Sequence, residues 1–443
     1  MLPIMLQTGI TNFVNMLDNV MVGKIGTVEM TGVAIANQLI FVFNLCLFGA
    51  ISGAGIFGAQ FYGNKDNEGV RNTFRFKLMF CTFLTVTCIG IFTVFGKNLV
   101  NLYLQGEGDV QDAAASLNFA MRYIKIMIIG FLPYALSQCY SSTMRELERP
   151  LLPMVAGITA VFVNFALNYI LIFGHFGAPK MGVDGAAVAT VISRFAELII
   201  VALFVHLNKK EAPFIVGAYR SMRVPIKLVK QIIVKGMPLM VNETLWSSGM
   251  AMLNQCYSLR SLDVVAANNI AQTFFNVFSV AFMSVGVAIG IIIGQMLGAN
   301  ETEEAKENSV KLISLSLMIS VVVGSLFAVS AGFIPEIYNT TPEVKLLAAK
   351  MMRIIAITMP LDAFANASYF TLRSGGKVII TLLFDSVFIW CVSVPVAFIL
   401  SRFTSIPVVP MFAIVQSLTF LKCVLGFIFV KKGSWVKNII AEQ

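Results

Sequence analysis

The sequence predicts an all-α integral membrane protein with twelve transmembrane helices in two six-helix lobes related by a parallel internal repeat. Three observations predict it. Of 443 residues, 57% are hydrophobic and only 12% charged, about half the roughly 25% charge that a water-facing surface calls for. Mostly apolar runs recur along the whole chain at about the 20-residue length that crosses the hydrocarbon layer. Polar and small residues match at a constant offset of 235: Pro3 with Pro238, Gly55 with Gly290, Gln60 with Gln295, Gly63 with Gly298 and Tyr103 with Tyr338. Later the register shifts, so that Pro133 pairs with Pro360 and Arg145 with Arg373.

Leu2 to Gly23 lacks a basic leader and a small-residue cleavage site, so it reads as a first transmembrane helix and not as a cleavable signal. Its abrupt start leaves room for a short preceding tail. The following spans are 32–62, 76–96, 120–144, 151–173, 183–206, 236–258, 265–297, 310–333, 346–372, 378–400 and 407–430. The 120–144 span is the least apolar, with Arg122 and Lys125 near its start. Six helices per half return the chain to the same side, which makes the repeat parallel, as in some alternating-access transporters. The expected domains are an amino-terminal lobe at 1–207, a cytoplasmic linker at 208–235, a carboxy-terminal lobe at 236–431 and a cytoplasmic tail at 432–443. The linker is basic, contains Pro213 and Pro225, and suits an amphipathic segment on the lipid surface.

Charge orients the chain. With the amino terminus inside, inner loops and tail carry twenty Lys and Arg, among them Lys65, Arg71, Arg75, Lys77, Arg145 and Arg373; outer loops carry seven. Such a positive-inside bias puts both termini in the cytoplasm of a cell that bears the protein in its plasma membrane. It also accounts for the formal charge of +9 without nucleic acid. The seven cysteines lie in or at the ends of apolar runs and form no CxxC pair, which excludes a disulfide frame or zinc site. No cofactor is expected, and a monomer is.

An ionised side chain at the bilayer centre costs about 2.5–3.5 kcal/mol on insertion scales, so intramembrane acids call for a function or a partner. Asp18 shares a helical stripe with Thr11 and Asn15. Asn164 and Asn168 stand one turn apart in the fifth span, with Thr190 early in the sixth; interhelical bonding is the bland alternative for them. Glu243 follows Pro238 in the seventh span, and Asp362 follows Pro360 in the tenth. With Pro3, these prolines are candidate kinks, because proline frees a backbone carbonyl. Glu197 follows Arg194 by three residues and is expected to pair with it. Asp385 stays undecided.

Pro3-Ile4-Met5-Leu6-Gln7 and Asn15 through Gly23 resemble the first helix of the multidrug and toxic compound extrusion (MATE) family. So do Asn164 through Asn168 to Gly174 and Gly182-Val183-Asp184-Gly185 to Thr190. The resemblance covers essentially the whole chain. It implies an antiporter exchanging H+ or Na+ for small organic cations. It assigns Asp18, Asn164, Asn168 and Thr190 to an amino-terminal coupling site, where Na+ is one candidate occupant, and Glu243 and Asp362 to a carboxy-terminal one. Glu146-Leu147-Glu148-Arg149-Pro150 stands where the family has a glycine-rich turn, which puts the shape of that loop in question.

A flippase for lipid-linked precursors is the runner-up. Its cavity should present several cations, and Arg122, Lys125, Arg194, Arg353 and Lys422 keep it open. An intramembrane enzyme is the rival of another class. No HExxH, GxSxG or P-loop pattern supports it.

Overall fold

The computed structural model describes residues 2–23, 26–104, 110–338 and 340–441; the side chains of 12–20, 22–23, 27, 103–104, 110–111 and 262 are outside the described set. Twelve helical passes run through these residues, and their bounds follow the predicted spans. Nine of the described helices are long and apolar enough to cross a membrane. Large apolar side chains stay exposed along them, such as Phe83, Val94, Phe162 and Ile357. In water such a surface would aggregate; against lipid it is what a span requires. The chain is a multi-pass membrane protein.

Contacts divide it into two compact units, one of residues 2–58 and 66–232, the other of 59–65 and 233–443. The amino-terminal unit holds α1 (Leu2–Gly23), most of α2 (Thr27–Gly63), α3 (Asn67–Leu104), α4 (Val110–Met127), α5 (Phe131–Glu146), α6 (Leu151–Phe173) and α7 (Val183–Leu207). The single span expected at 120–144 is two helices joined by a 3-10 turn at Ile128–Gly130. Pro133 explains it: the ring has no N–H to give to residue 129 and crowds that carbonyl. Gly174 ends α6 in the left-handed region, φ 77°, and returns its N–H to the Ile170 carbonyl.

One expectation about a cation changes here. Lys77 is no loop residue: α3 starts at Asn67, and the ammonium is fully buried against Glu146. The linker, for its part, is anchored to the amino-terminal unit. Phe214 and Ile215 are buried, and Arg71 and Arg75 donate to the carbonyls of Phe214, Gly217 and Ala218. Those guanidinium bonds satisfy a turn that could not otherwise leave water.

The carboxy-terminal unit holds α8 (Ile226–Ser258, from Ile233 on), α9 (Leu262–Gly298), α10 (Thr302–Ser330), α11 (Pro342–Ser374), α12 (Val378–Leu382), α13 (Val394–Phe403), α14 (Val408–Ser417) and α15 (Thr419–Lys431). Ser261 and Thr341 cap α9 and α11 by accepting the N–H groups of Val264 and Val344. Between α12 and α13 the helix widens into two π-helical segments, Leu383–Val387 and Ile389–Ser393. They precede Pro395, which again removes one ladder donor. The end of the chain is packed, with Trp435 1% exposed and Ile439 and Ile440 also buried.

The repeat is visible in this unit. Gly63 lies on the backbone of Gln295, and Gly298 on that of Gln60; a Cβ on either glycine would overlap the opposing carbonyl. The matched pairs of the sequence thus form one reciprocal crossing, and only glycine permits its closeness.

Candidate functional site

The amino-terminal unit encloses a cavity of about 740 Å3 among α1, α2, α4, α5, α6 and α7. At one end, Asn168 Nδ2 donates to Asn164 Oδ1 at 3.2 Å, Asn164 Nδ2 to Thr190 Oγ1 at 3.2 Å, and Thr190 to the Ala186 carbonyl at 2.9 Å. The i,i+4 spacing of the asparagines puts both amides on one face of α6, and α7 packs against that face. Asn164 and Asn168 are buried, at 6% and 1% exposure. The structure therefore joins three of the four residues expected to form the amino-terminal site. The fourth, Asp18, is in α1, but its side chain lies outside the described residues. Pro3 is the second residue of that helix.

The other end of the cavity is lined by Gln7, Gln138, Arg145, Arg194 and Glu197. Arg145 donates to Gln7 Oε1 at 3.4 Å, and Gln138 to Glu197 Oε1 at 3.3 Å. Glu197 and Arg194 do not form the expected ion pair. Arg194 instead lies over the Tyr134 ring, 4.7 Å from its centre, a contact that holds a guanidinium without a carboxylate. Arg194 Nη1 and Asn44 Oδ1 are buried without a hydrogen-bond partner. Of the cations that kept the flippase alternative open, only Arg194 lines this cavity, and Arg145 joins it. Arg122 pairs with Asp184, Lys422 pairs with Asp385, and Lys125 and Arg353 are exposed.

Glu243 and Asp362 meet a second polar cluster, inside the carboxy-terminal unit. Both are part-buried. Arg373 and Asp385 are the charges acting on Glu243, and Lys422 the one acting on Asp362. Asp385, undecided from the sequence, and Lys422, a cation of the flippase alternative there, thus lie within electrostatic range of the two predicted acids. Buried Asn242 donates to Asp385 Oδ2 at 3.2 Å and to the Tyr369 hydroxyl at 3.4 Å, while Ser386 donates to Asn242 at 2.7 Å. Lys422 stands out in the sequence as a lone lysine inside the apolar 407–430 span, but 37 residues separate it from Asp385, so no local pattern ties the two. Pro238 and Pro360 lie within α8 and α11, and each helix runs through its proline as one element.

A family model described as MatE matches residues 3–170 and 238–399, so the same model fits the chain twice at starts 235 residues apart. A probable multidrug resistance protein of Thermotoga maritima is 25% identical over 100% of this chain and 93% of its own length. One of Bacillus subtilis is 25% identical over 92% of this chain and 87% of its own. Among solved structures, an outward-facing multidrug resistance MATE transporter of the MOP superfamily superposes with TM-score 0.89 at 18% identity, covering 98% of this chain and 94% of that one. A MOP superfamily transporter from Pyrococcus furiosus, described as having a binding pocket of reverse polarity that suggests a different function, superposes with TM-score 0.85 at 17% identity over 98% and 94%.

Proposed function

The chain belongs to the MatE family of membrane transporters, and from that premise we propose that it is a multidrug efflux antiporter exchanging H+ or Na+ for small organic cations by alternating access. The observation that carries this reading is the Asn168–Asn164–Thr190 chain on the wall of a cavity within one unit. Oxygens of two amides and a hydroxyl, together with the carboxylate that the family resemblance assigns to Asp18, make a hard-oxygen set suited to Na+, or to a proton held on Asp18. Ion and cargo must favour different states of the cavity, since a ligand that binds both equally shifts neither. An ion that draws α1 toward α6 and α7 would shrink the space left for a bound cation. Glu243 and Asp362 would supply negative charge for ion or cargo in the other unit. Export would run outward across the plasma membrane, with both termini cytoplasmic.

Purified protein in liposomes under imposed pH or Na+ gradients tests this. Uptake of an organic cation against its gradient, driven by one of the two, is the expected outcome. No flux under either gradient would rule the antiporter out.

Arg145 and Arg194 favour a second reading for cargo. Guanidinium groups lining a cavity recognise carboxylate or phosphate oxygens, as a lipid-linked precursor would offer. Competition of anionic amphiphiles against cationic dyes in the same liposomes separates the two.

A further inference from the structure

We propose that Lys422 is a resident cation of the carboxy-terminal acid cluster: it fills the place an alkali ion would take, so cargo or protons, and not Na+, displace it there. The cluster draws on four elements. α8 gives Glu243 and Asn242, α11 gives Asp362, Tyr369 and Arg373, the π-helical turn 383–387 gives Asp385 and Ser386, and α15 gives Lys422. Three carboxylates face two cations, so the cluster keeps one formal negative charge with Lys422 in place and two without it.

Geometry makes Asp385 the anchor. Asp385 and Ser386, neighbours in the π-helical turn, both reach Asn242. Asn242 is 1% exposed and Ser386 0%, so this scaffold is rigid and dry. It fixes Oδ2 of Asp385 and leaves Oδ1 to the Lys422 ammonium. The same ammonium is 5.3 Å from the centre of the Phe384 ring. Both contacts are ones that any compact cation, Na+ included, would seek. The ammonium has three donors on a flexible stem, and Asp362 lies within its electrostatic reach. It can therefore change carboxylates when a cationic cargo or a proton takes Asp385, which an alkali ion bound there would prevent. A tethered ion also has an effective concentration that a dissolved one cannot match.

The inference rests on the antiporter reading only where it calls these acids a cargo site, so its test reads ion binding and not transport. Equilibrium binding of radioactive Na+ is measured on purified full-length protein in lipid nanodiscs at neutral pH, with thermal unfolding of each variant as a check on folding. Removing a charge at contact distance changes local ion affinity by at least about tenfold. Lys422→Met, or Lys422→Gln should the first not fold, is expected to gain a Na+ site at least about tenfold tighter than any that Asp385 supports in the unsubstituted protein. Lys422→Arg, which keeps the charge, should gain none. The gain should vanish in Lys422→Met combined with Asp385→Asn. Unchanged Na+ binding in both the Met and Gln variants, or a gain that survives Asp385→Asn, would overturn the proposal. So would Na+ binding by the unsubstituted protein that Asp385→Asn abolishes. Cation export is followed beside it in liposomes: if no variant or parent exports, the antiporter reading fails while the Na+ pattern still decides this one.

Discussion

Lys77 and Glu146 face each other with water excluded, their side chains 0% and 6% exposed. The ammonium lies 2.6 and 2.8 Å from the two carboxylate oxygens, with Ser142 and Thr143 as further acceptors. Gly55 and Gly58 make the room, since a Cβ on Gly55 would stand 2.9 Å from a carboxylate oxygen. Deleting one partner strands a buried charge, so Glu146→Ala should lose about 3–5 kcal/mol of stability. Replacing both, Lys77→Met with Glu146→Leu, should recover most of it; denaturant unfolding of purified protein measures each. The sequence named Glu146 only as a departure in a turn and counted Lys77 with the loop cations, because a pair 69 residues apart leaves no local pattern. Glu148 stands in the same segment at φ 61°, a backbone state glycine adopts at no cost. The Asn164–Asn168–Thr190 chain was legible for the opposite reason: one-turn spacing on an apolar span is a local signal. Asn164→Ala breaks its centre, two bonds at once, and should lower ion-driven export about tenfold while folded protein, read by size exclusion, stays at the parental level.

Irregular backbone and docked segments are where elements depart from their predicted form. The helices expected from apolar length are present. The break at 128–130 traces to Pro133, and the π-helical segment 389–393 directly precedes Pro395; the kinks expected from the sequence were at Pro3, Pro238 and Pro360 instead. Length and hydropathy cannot distinguish a proline absorbed by a long helix from one that shifts its bonding, because neighbouring side chains decide which freed carbonyls find partners. Composition marks the linker and tail as polar, basic segments outside the spans and says nothing of what holds them, yet each is held by a few specific bonds. Arg75 donates to Ala218 and Gly217 at 2.8 Å each. Gln60 donates to the carbonyls of Ser374 and Lys437 and accepts the N–H of Ile439. Such straps open locally when their anchors are lost. Arg75→Ala is therefore expected to speed protease cleavage within 208–220, with the carboxy-terminal tail protected as before. Gln60→Ala should do the reverse. Cleavage at equal rates in parent and variants would show that the straps are held by packing alone.

At the scale of the whole chain, the repeat and the orientation were both argued from sequence, and they rest on different physics. The repeat follows from matches at one offset, and the reciprocal Gly63 and Gly298 contacts show what those glycines do. Orientation follows from counting cations, and the structure changes the count. Lys77, Arg75 and Arg373 are buried and Arg145 lines a cavity, so none of the four acts as a loop charge. Removing them leaves sixteen Lys and Arg assigned to the inner side against seven to the outer, a bias that keeps cytoplasmic termini as the expected orientation. Two exposed positions at opposite ends of α7 and its preceding turn read it out. Phe176, 89% exposed between α6 and α7, is expected on the outer side. Lys210, exposed just after α7, is expected on the inner one. Neither side chain makes a packing contact that cysteine would remove, so both variants should fold. In intact cells a membrane-impermeant thiol reagent should modify Phe176→Cys and spare Lys210→Cys, with the native cysteines replaced by serine or alanine. Permeabilising the cells should expose Lys210→Cys to the same reagent. The reverse labelling pattern would invert the topology, and the cavity's access from each side would have to be reassigned with it.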